Sequence, residues 1–414
     1  MVSDISPRCC NSKPNRARQW RGKPLELGIG GSVANQPDRP IEIRALAGAR
    51  ALPPLLIVLF HFSEGHHYSG VRWIDLLAAR GYLWVEFFFA LSGFILTHVY
   101  GARVAQLFTK KGFGGFLRAR LTRLYPLHLF MLLALLCLME GARLFAWWGG
   151  YHSIYDMKYH PAMRWSGFFL SVALVHAWNT MNTLTWNGAS WFVSVEFALC
   201  LMFPAFVALA DGPVWRGVAL IAAGVAGLFA MDLNSLHGLD ITFHNGVLRG
   251  MGDFSVGVGM AVLYREWRPR DALPGWVHSL IQAGLIAALL YAFYNNGWAH
   301  TRRDIWPVLP MLALVLALSF DRGLLAQALQ SRIPQMLGVW SYAVYMGQTF
   351  WLQAIRIFEQ RLYPPMDSRV LETRFSSLIW WLEPVLLVLV CIAWGAILAM
   401  FVEQPAAAAL KRAS

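Results

Sequence analysis

The sequence predicts an all-α membrane protein, a bundle of about ten transmembrane helices. Of its 414 residues, 57% are hydrophobic and only 14% are charged, whereas soluble domains carry about 25% charged residues. The chain contains 19 tryptophans, and its apolar residues fall in runs of about 20, the length that crosses a bilayer as a helix. These observations exclude an ordinary soluble domain.

Ten apolar runs, each bounded by charged or turn-forming residues, are the predicted spans. They lie near 45–63, 81–100, 120–140, 190–210, 214–232, 247–264, 276–294, 305–320, 335–357 and 378–402. The eighth run is short. A further apolar stretch, 166–178, is either an eleventh span or a re-entrant piece.

The basic residues predict the orientation of the bundle. The larger share of the 35 lysines and arginines falls in the alternate segments that are cytoplasmic if the N-terminus is cytoplasmic. The positive-inside rule therefore predicts that both termini are cytoplasmic. Four arginines between the ninth and tenth spans oppose this bias: Arg356, Arg361, Arg369 and Arg374. Because topology accounts for the net charge of +12, we expect no nucleic-acid partner.

Three regions follow from this pattern. Residues 1–41 are polar, basic and without the apolar region of a signal peptide, which predicts a disordered cytoplasmic tail. Residues 42–405 form one transmembrane domain, and 406–414 a short cytoplasmic tail. The five cysteines lack a CxxC spacing, so neither a disulfide framework nor a zinc site is predicted.

The first span carries two ionisable residues at the ends of "RALPPLLIVLFHF". His61 follows Arg50 by eleven positions, which in a continuous helix places both on one face, about 16 Å apart along the axis. Because prolines fit only the first turn of a helix, the helix is expected to begin near Pro53, with Arg50 on its approach. Histidine titrates close to neutrality, so His61 is a candidate general base toward a hydroxyl group.

Histidines also follow this span, in "HFSEGHH". A metal cluster that uses His66 and His67 would need further histidine clusters along the chain, and none recurs. We therefore predict no metal site.

Two glutamates lie inside apolar spans, where each charge costs at least about 2.5 kcal/mol to insert. Glu86 and Glu196 each either pair with an intramembrane arginine or a tryptophan N–H, or orient His61 and stabilise its imidazolium form. Ser92 and Ser194 lie outside a GxSxG motif, so close helix packing is the expected role of these small residues.

An arginine cluster marks the cytoplasmic entry of the third span. Arg118, Arg120 and Arg123 are either an ordinary positive-inside cluster or a phosphate site, since arginine forms bidentate bonds with phosphate. The chain has no GxxxxGK[ST] loop, so nucleotide binding through such a loop is not expected.

Several segments, in order, resemble those of the acyltransferase-3 family of integral membrane O-acyltransferases, which modify bacterial surface and secreted polysaccharides. The segments, between about 42 and 405, are "RALAGARALPPLLIVLFHF", "WVEFFFALSGFIL", "FLRARLTRLYPLH", "SWFVSVEFALCLMFP", "LRGMGDFSVGVGM", "LGVWSYAVYMGQ" and "FVEQP". The chain departs from the family pattern at four positions. Trp84 and Glu86 replace glycine and aspartate, Phe192 replaces serine, and Gln348 stands where histidine is common.

The resemblance implies a reaction and a set of residues. Acyl-CoA, expected to be acetyl-CoA, would enter from the cytoplasm against Arg120 and Arg123. The family's essential pair corresponds to Arg50 and His61, with His61 as general base or acyl relay and Glu86 or Glu196 holding charge and orientation. The residues expected to shape the acceptor site are Ser92, Trp191, Ser194, Arg249, Tyr342 and Gln348.

The implied partners are acyl-CoA as co-substrate, a carbohydrate or other hydroxylated acceptor, and membrane lipids. No bound cofactor is expected, and the implied location is the bacterial inner (cytoplasmic) membrane. The alternative is a transporter or flippase of a glycan or lipid intermediate, in which the intramembrane charges form a path. Two matching Gly/Pro-broken spans, typical of inverted repeats, are not found in the sequence.

Overall fold

The computed structural model describes residues 42–63, 72–149, 163–295, 303–362 and 377–412. The predicted tail at 1–41, and His66, His67, Arg369 and Arg374, lie outside these residues. The helices are α1 Arg44–Ala49, α2 Leu52–Ser63, α3 Arg72–Ala79, α4 Trp84–Tyr100, α5 Val104–Leu107, α6 Lys110–Trp148, α7 Trp165–Val172, α8 Trp191–Ala210, α9 Val214–Asn234, α10 Gly246–Trp267, α11 Gly275–Asn295, α12 Ile305–Ser319, α13 Leu324–Leu329, α14 Arg332–Leu362, α15 Ser377–Leu398 and α16 Gln404–Arg412.

The predicted all-α membrane bundle is confirmed. Within the described ranges, eight helical segments are long and apolar enough to cross a membrane, and each coincides with a predicted span. The eighth predicted span is α12, which has only 15 residues. The ninth is α14, with 31 residues. Every predicted span is therefore helical, and the first is formed by two short helices, α1 and α2.

Helices α6 and α7 differ in length from a helix that crosses the membrane once. Helix α6 has 39 residues and is about 58 Å long, nearly twice the thickness of the hydrocarbon core. Helix α7 has eight residues, too few to cross. Residues 166–178 therefore do not form an eleventh span. The non-helical chain after α7 buries Leu174, Ala177 and Trp186, as irregular backbone at membrane depth requires.

Helices α4 and α10 are in backbone contact at the centre of the bundle. A Cβ atom added to Gly93 would lie 2.3 Å from the carbonyl oxygen of Phe254, and one added to Gly257 would lie 2.0 Å from that of Ala90. Only glycine fits at such distances, which is how small residues bring membrane helices together.

The first span is divided at Arg50. Helix α1 ends at Ala49 and α2 begins at Leu52, with Pro53 and Pro54 in its first turn. Arg50 therefore lies at the junction of two short helices, on the approach to α2, as predicted.

Helix α1 is held by a distant part of the chain. The carboxylate of Asp321 accepts hydrogen bonds from the backbone N–H of Arg44, at 3.2 Å, and of Ala45, at 2.7 Å. A Cβ atom added to Gly48 would lie 1.9 Å from the carbonyl oxygen of Leu329. These contacts fix the position of Arg50 relative to the loop after α12 and to α13.

Helices α4, α8 and α10, which carry several of the predicted site residues, begin together at one end of the bundle. Near the start of α4 and of α10, Glu86 and Arg249 form an ion pair. The guanidinium of Arg249 also lies 5.3 Å from the ring of Trp191, the first residue of α8. Helix α2 ends here as well, and we call this end, which contains His61, the histidine end.

The opposite end is called the arginine end, because it carries Arg44 and Arg50. Gln335, near the start of α14, donates a hydrogen bond of 2.7 Å to the carbonyl oxygen of Arg44. Glu403, at the end of the π-helical segment Ala399–Glu403, is a charged neighbour of Arg50. The described chain therefore enters and leaves the bundle at the same end.

Candidate functional site

A cavity of about 100 Å³ opens among the helices on the arginine side of the bundle centre. We call it the arginine cavity. It is lined by Arg50, Phe88, Leu91, Ser92, Ile95, Leu96, Arg120, Arg123, Leu124, Phe192, Glu196, Ser341, Tyr342 and Tyr345. The lining comes from the α1–α2 junction and from α4, α6, α8 and α14. Six of the predicted site residues are therefore brought together, although up to 292 positions separate them in the chain.

Positive charge exceeds negative charge in the cavity. Arg50, Arg120 and Arg123 are partly exposed there and are electrostatic neighbours of one another. The acidic groups near them are Glu196, which lines the cavity, and Glu403, which lies beside Arg50 and Arg123. Three guanidinium groups with two carboxylates nearby favour an anionic ligand.

Polar contacts position the groups around these arginines. The hydroxyl of Ser92 donates a hydrogen bond to Oε1 of Glu196. The other carboxylate oxygen, Oε2, is buried and has no partner among the described residues. The hydroxyl of Tyr342 donates to the carbonyl oxygen of Leu124 at 2.6 Å and so ties α14 to α6, which carries Arg120 and Arg123.

His61 lies outside this cavity, at the histidine end of α2. His61 is nine positions after Leu52, the first residue of α2, and this rise of about 14 Å accounts for most of its separation from Arg50. Its ring centroid is 5.0 Å from that of Phe60, and Phe60 is 5.3 Å from the ring of Tyr82. A Cβ atom added to Gly81 would lie 2.4 Å from the carbonyl oxygen of Leu56 in α2. Close contact between α2 and the turn before α4 therefore fixes the last turn of α2.

The two glutamates that the sequence could not distinguish have different environments. Glu86 is fully buried, and its Oε1 accepts a hydrogen bond from Nε of Arg249 at 2.7 Å and forms an ion pair with Nη2 at 2.6 Å. Arg249 also donates to the carbonyl oxygens of Ile241, at 2.9 Å, and Tyr82, at 3.2 Å. Glu86 is thus paired with an intramembrane arginine, whereas Glu196 faces the arginine cavity.

A second buried ion pair continues this network toward His61. Arg80 and Asp304 are both fully buried and 3.0 Å apart. Asp304 also accepts hydrogen bonds from the hydroxyl of Tyr82 at 2.7 Å and from the N–H of Leu239 at 2.9 Å. Since the ring of Tyr82 contacts Phe60, the network supports the segment that carries His61.

Two further predicted residues, Ser194 and Gln348, make mainly backbone contacts. Ser194 donates to the carbonyl oxygen of Leu174 at 2.8 Å and accepts from the N–H of Ala177 at 3.1 Å. These contacts fix the irregular chain after α7. The amide of Gln348 donates to the carbonyl oxygen of Tyr345 at 3.1 Å, and its oxygen is buried without a partner among the described residues.

A buried serine and histidine form a pair that the sequence analysis missed. Ser190 Oγ lies 3.0 Å from Nε2 of His176, but its hydroxyl donates to the carbonyl oxygen of Asn187 at 2.6 Å. The serine partner of His176 therefore directs its proton to the backbone, an arrangement that favours a structural role.

Glu403, Phe88 and Tyr345 are further residues at the cavity that the sequence analysis did not assign to the site. The signal for Glu403 was present, because it is the acidic residue of the closing "FVEQP" segment. The two aromatic residues carried no such signal, since each follows the apolar pattern of its span.

Comparison with known proteins places the chain in a family. The chain matches the family described as "Acyltransferase domain" over residues 43–400. It is 25% identical over 334 residues to "Acyltransferase MdmB" of Streptomyces mycarofaciens, covering 75% of this chain and 79% of that protein. It is 39% identical over 87 residues to "Protein 2 in picA locus" of Rhizobium radiobacter, covering 21% of this chain and 40% of that protein. No solved structure matches. The matched region includes the whole arginine cavity and His61, and the chain belongs to the acyltransferase-3 family of integral membrane acyltransferases.

Proposed function

We propose that this protein transfers an acyl group, expected to be acetyl, from cytoplasmic acyl-CoA to a hydroxyl group of a cell-surface or exported carbohydrate. The observation that carries the proposal is the convergence of Arg50, Arg120 and Arg123 on one cavity. Coenzyme A is a suitable ligand because its phosphates pair with guanidinium groups. The small volume of the cavity fits the narrow arm of the cofactor, with the nucleotide outside.

The distance between the arginines and His61 agrees with this donor. Coenzyme A holds its phosphates and its thioester at the two ends of a long, flexible arm. With the phosphates near Arg120 and Arg123, the arm can extend through the bundle toward the level of His61, which lies about 14 Å along α2 from the first residue of that helix. Binding both substrates in this arrangement would accelerate the reaction mainly through proximity.

His61 is the proposed base. As the acceptor hydroxyl oxygen forms a bond to the thioester carbonyl carbon, the imidazole takes the hydroxyl proton. The carbon–sulfur bond then breaks, and the departing thiolate takes that proton to leave as free coenzyme A. These steps describe direct transfer. In a second route, His61 itself accepts the acyl group and passes it to the hydroxyl. In both routes the proposed role of Arg50 and Glu196 is to hold charge at the donor end.

The proposal is tested with purified protein in proteoliposomes, by following the release of the coenzyme A thiol from acetyl-CoA in the presence of an acceptor glycan. His61→Ala is expected to lower the rate at least 1,000-fold while the protein stays folded. The matched control is His237→Ala, an exposed histidine in the loop between α9 and α10, which should leave the rate unchanged. Substantial turnover by His61→Ala would rule out His61 as the base.

Comparison of cells with and without the gene identifies the acceptor. Mass spectrometry of envelope and secreted glycans should show an acyl-sized mass increase only in cells that carry the intact gene. A transporter or flippase would change the location of a glycan without consuming acyl-CoA, so thiol release also distinguishes this alternative. The proposed location is the bacterial inner membrane.

A further inference from the structure

Three aromatic rings close the arginine cavity on the side of the histidine end. Phe88, Phe192 and Tyr345 come from α4, α8 and α14, and each touches the other two. The ring centroids are 5.9 Å apart for Phe88 and Phe192, 5.5 Å for Phe192 and Tyr345, and 6.4 Å for Phe88 and Tyr345. We call these three residues the aromatic wall.

The order of residues along the helices shows on which side of the cavity the wall lies. Helices α4 and α8 begin at the histidine end, and Phe88 and Phe192 are the first residues of these helices to line the cavity. Helix α14 runs the other way, and Tyr345 is its last lining residue. The wall therefore lies between the arginines and the histidine end.

Unpartnered polar groups lie one turn beyond the wall on the same helices. The indole nitrogen of Trp84 on α4 and the side-chain oxygen of Gln348 on α14 are buried without a hydrogen-bond partner among the described residues. The side-chain oxygen of Asn187, just before α8, is also buried without a hydrogen-bond partner among the described residues. The side-chain nitrogen of Asn187 donates to the carbonyl oxygen of Met346 at 3.3 Å. Buried polar atoms are nearly always paired, so these three indicate a polar ligand on the far side of the wall.

Phe192 is the member of the wall that distinguishes this chain. It occupies the position at which the resembling family segment carries serine, and a serine there would leave a gap the size of a phenyl ring. We propose that Phe192, with Phe88 and Tyr345, determines which acyl groups pass from the arginine cavity toward His61, by admitting narrow, unbranched groups and excluding wide ones. This inference rests on the proposed acyl-CoA donor.

The selection acts on the width of the acyl group. Rotation of the Phe192 side chain opens a passage between three rings, and such a passage accepts the pantetheine arm with an acetyl group. A branched or aromatic acyl group needs a wider opening, which close-packed rings on three helices resist. Phe192 is thus a specificity-determining residue with no part in proton transfer.

The test compares Phe192→Ser with Phe197→Ser in proteoliposomes. Phe197 lies on the same helix, stacks on Trp178 with ring centroids 6.1 Å apart and does not line the cavity. Turnover is measured with acetyl-CoA, isovaleryl-CoA and benzoyl-CoA. We expect Phe192→Ser to raise the turnover of the two wide donors relative to acetyl-CoA at least tenfold, and Phe197→Ser to leave both ratios unchanged. Unchanged ratios in a Phe192→Ser protein that still transfers acetyl would overturn the proposal.

A second measurement does not depend on turnover. Gln348→Cys places a thiol beyond the wall, and a small membrane-impermeant methanethiosulfonate is added to inside-out vesicles. Labelling is quantified by mass spectrometry of the peptide that contains position 348. Labelling of Gln348→Cys should be at least tenfold faster when Phe192→Ser is also present than in its absence or with Phe197→Ser. Equal labelling rates would overturn the proposal that the aromatic wall restricts passage.

The two measurements separate the two proposals. Faster labelling without turnover of any acyl-CoA would support the wall and contradict the proposed donor. Acetyl transfer with unchanged ratios and unchanged labelling would contradict the wall and leave the proposed function in place.

Discussion

At the scale of single residues, the arginine cavity brings together charges that are costly to insert one at a time. Arg50, Arg120, Arg123 and Glu196 line the same cavity, and the surplus of positive charge is what the phosphate of the proposed donor would neutralise. A hydrogen bond to a charged group contributes about 1.5–3 kcal/mol, which corresponds to roughly a 10- to 150-fold change in affinity.

The first prediction follows for the donor. If acyl-CoA is the donor, as proposed, Arg120→Gln and Arg123→Gln should each raise its KM roughly 10- to 100-fold, with a smaller effect on kcat, because each removes a proposed phosphate contact. Initial rates over a range of acetyl-CoA concentrations provide the measurement. Arg118→Gln is the control, since this exposed arginine of α6 does not line the cavity. An equal rise in KM in the control would indicate a general effect of net charge.

The second prediction separates the two glutamates. Glu86→Gln leaves the buried guanidinium of Arg249 without its ion-pair partner, and breaking a buried pair costs about 3–5 kcal/mol. The melting temperature in detergent should therefore fall clearly. Glu196→Gln should keep the melting temperature close to that of the parent, because it leaves no fully buried charge without a partner. It should lower the transfer rate, because the carboxylate of Glu196 lines the cavity. The reverse pattern would exchange the roles assigned to the two residues.

At the scale of elements, the contact between α2 and the turn before α4 determines where His61 lies. Gly81 allows the turn before α4 to touch the backbone of α2, one turn from His61. The buried pair of Arg80 and Asp304 and the hydroxyl of Tyr82 hold this turn in place. The position of the proposed base thus depends on residues that do not themselves react.

The third prediction concerns this contact between Gly81 and α2. Gly81→Ala should lower kcat at least tenfold, because the new Cβ atom, 2.4 Å from the carbonyl oxygen of Leu56, forces α2 away, and small displacements at a reacting centre are costly. Gly227→Ala in α9, where a Cβ atom meets nothing within 4 Å, should leave kcat unchanged. Normal kcat in Gly81→Ala would show that the position of His61 does not depend on this contact.

The helices could be predicted from the sequence because apolar runs of spanning length are a local signal. The break at Arg50 was partly predictable, since Pro53 and Pro54 mark the start of α2. The docking of α1 could not be predicted, because the carboxylate that accepts its hydrogen bonds belongs to Asp321, which follows α12 in the chain. The extension of α6 beyond its predicted span was also missed, since glycines, lysines and arginines interrupt the apolar pattern between Lys110 and Arg120.

At the scale of the whole molecule, the site joins segments that are far apart in the chain. The resemblance assigned Arg50, Arg120 and Arg123 to the site before any contact was known. The roles of Glu86 and Glu196 could not be assigned in this way, because both are single acids in apolar spans. Only packing of the whole bundle places one beside Arg249 and the other beside Ser92.

The fourth prediction concerns orientation. If the arginine end faces the cytoplasm, as the positive-inside bias predicts, acetyl-CoA added to inside-out vesicles should be consumed. Sealed right-side-out vesicles should consume it only after permeabilisation, because coenzyme A thioesters do not cross the bilayer. Thiol release from both preparations provides the measurement, and consumption by intact right-side-out vesicles would reverse the orientation.

The hydrogen bonds from α1 to Asp321 have a consequence in time. Ala45 and its acceptor are 276 positions apart, and a ribosome that adds about 5–20 residues per second needs roughly 14–55 s to make the chain between them. During that interval the amides of Arg44 and Ala45 lack this acceptor. Helix α1 therefore docks on Asp321 only after α12 has been made, and Arg50 reaches its place in the cavity only from then on.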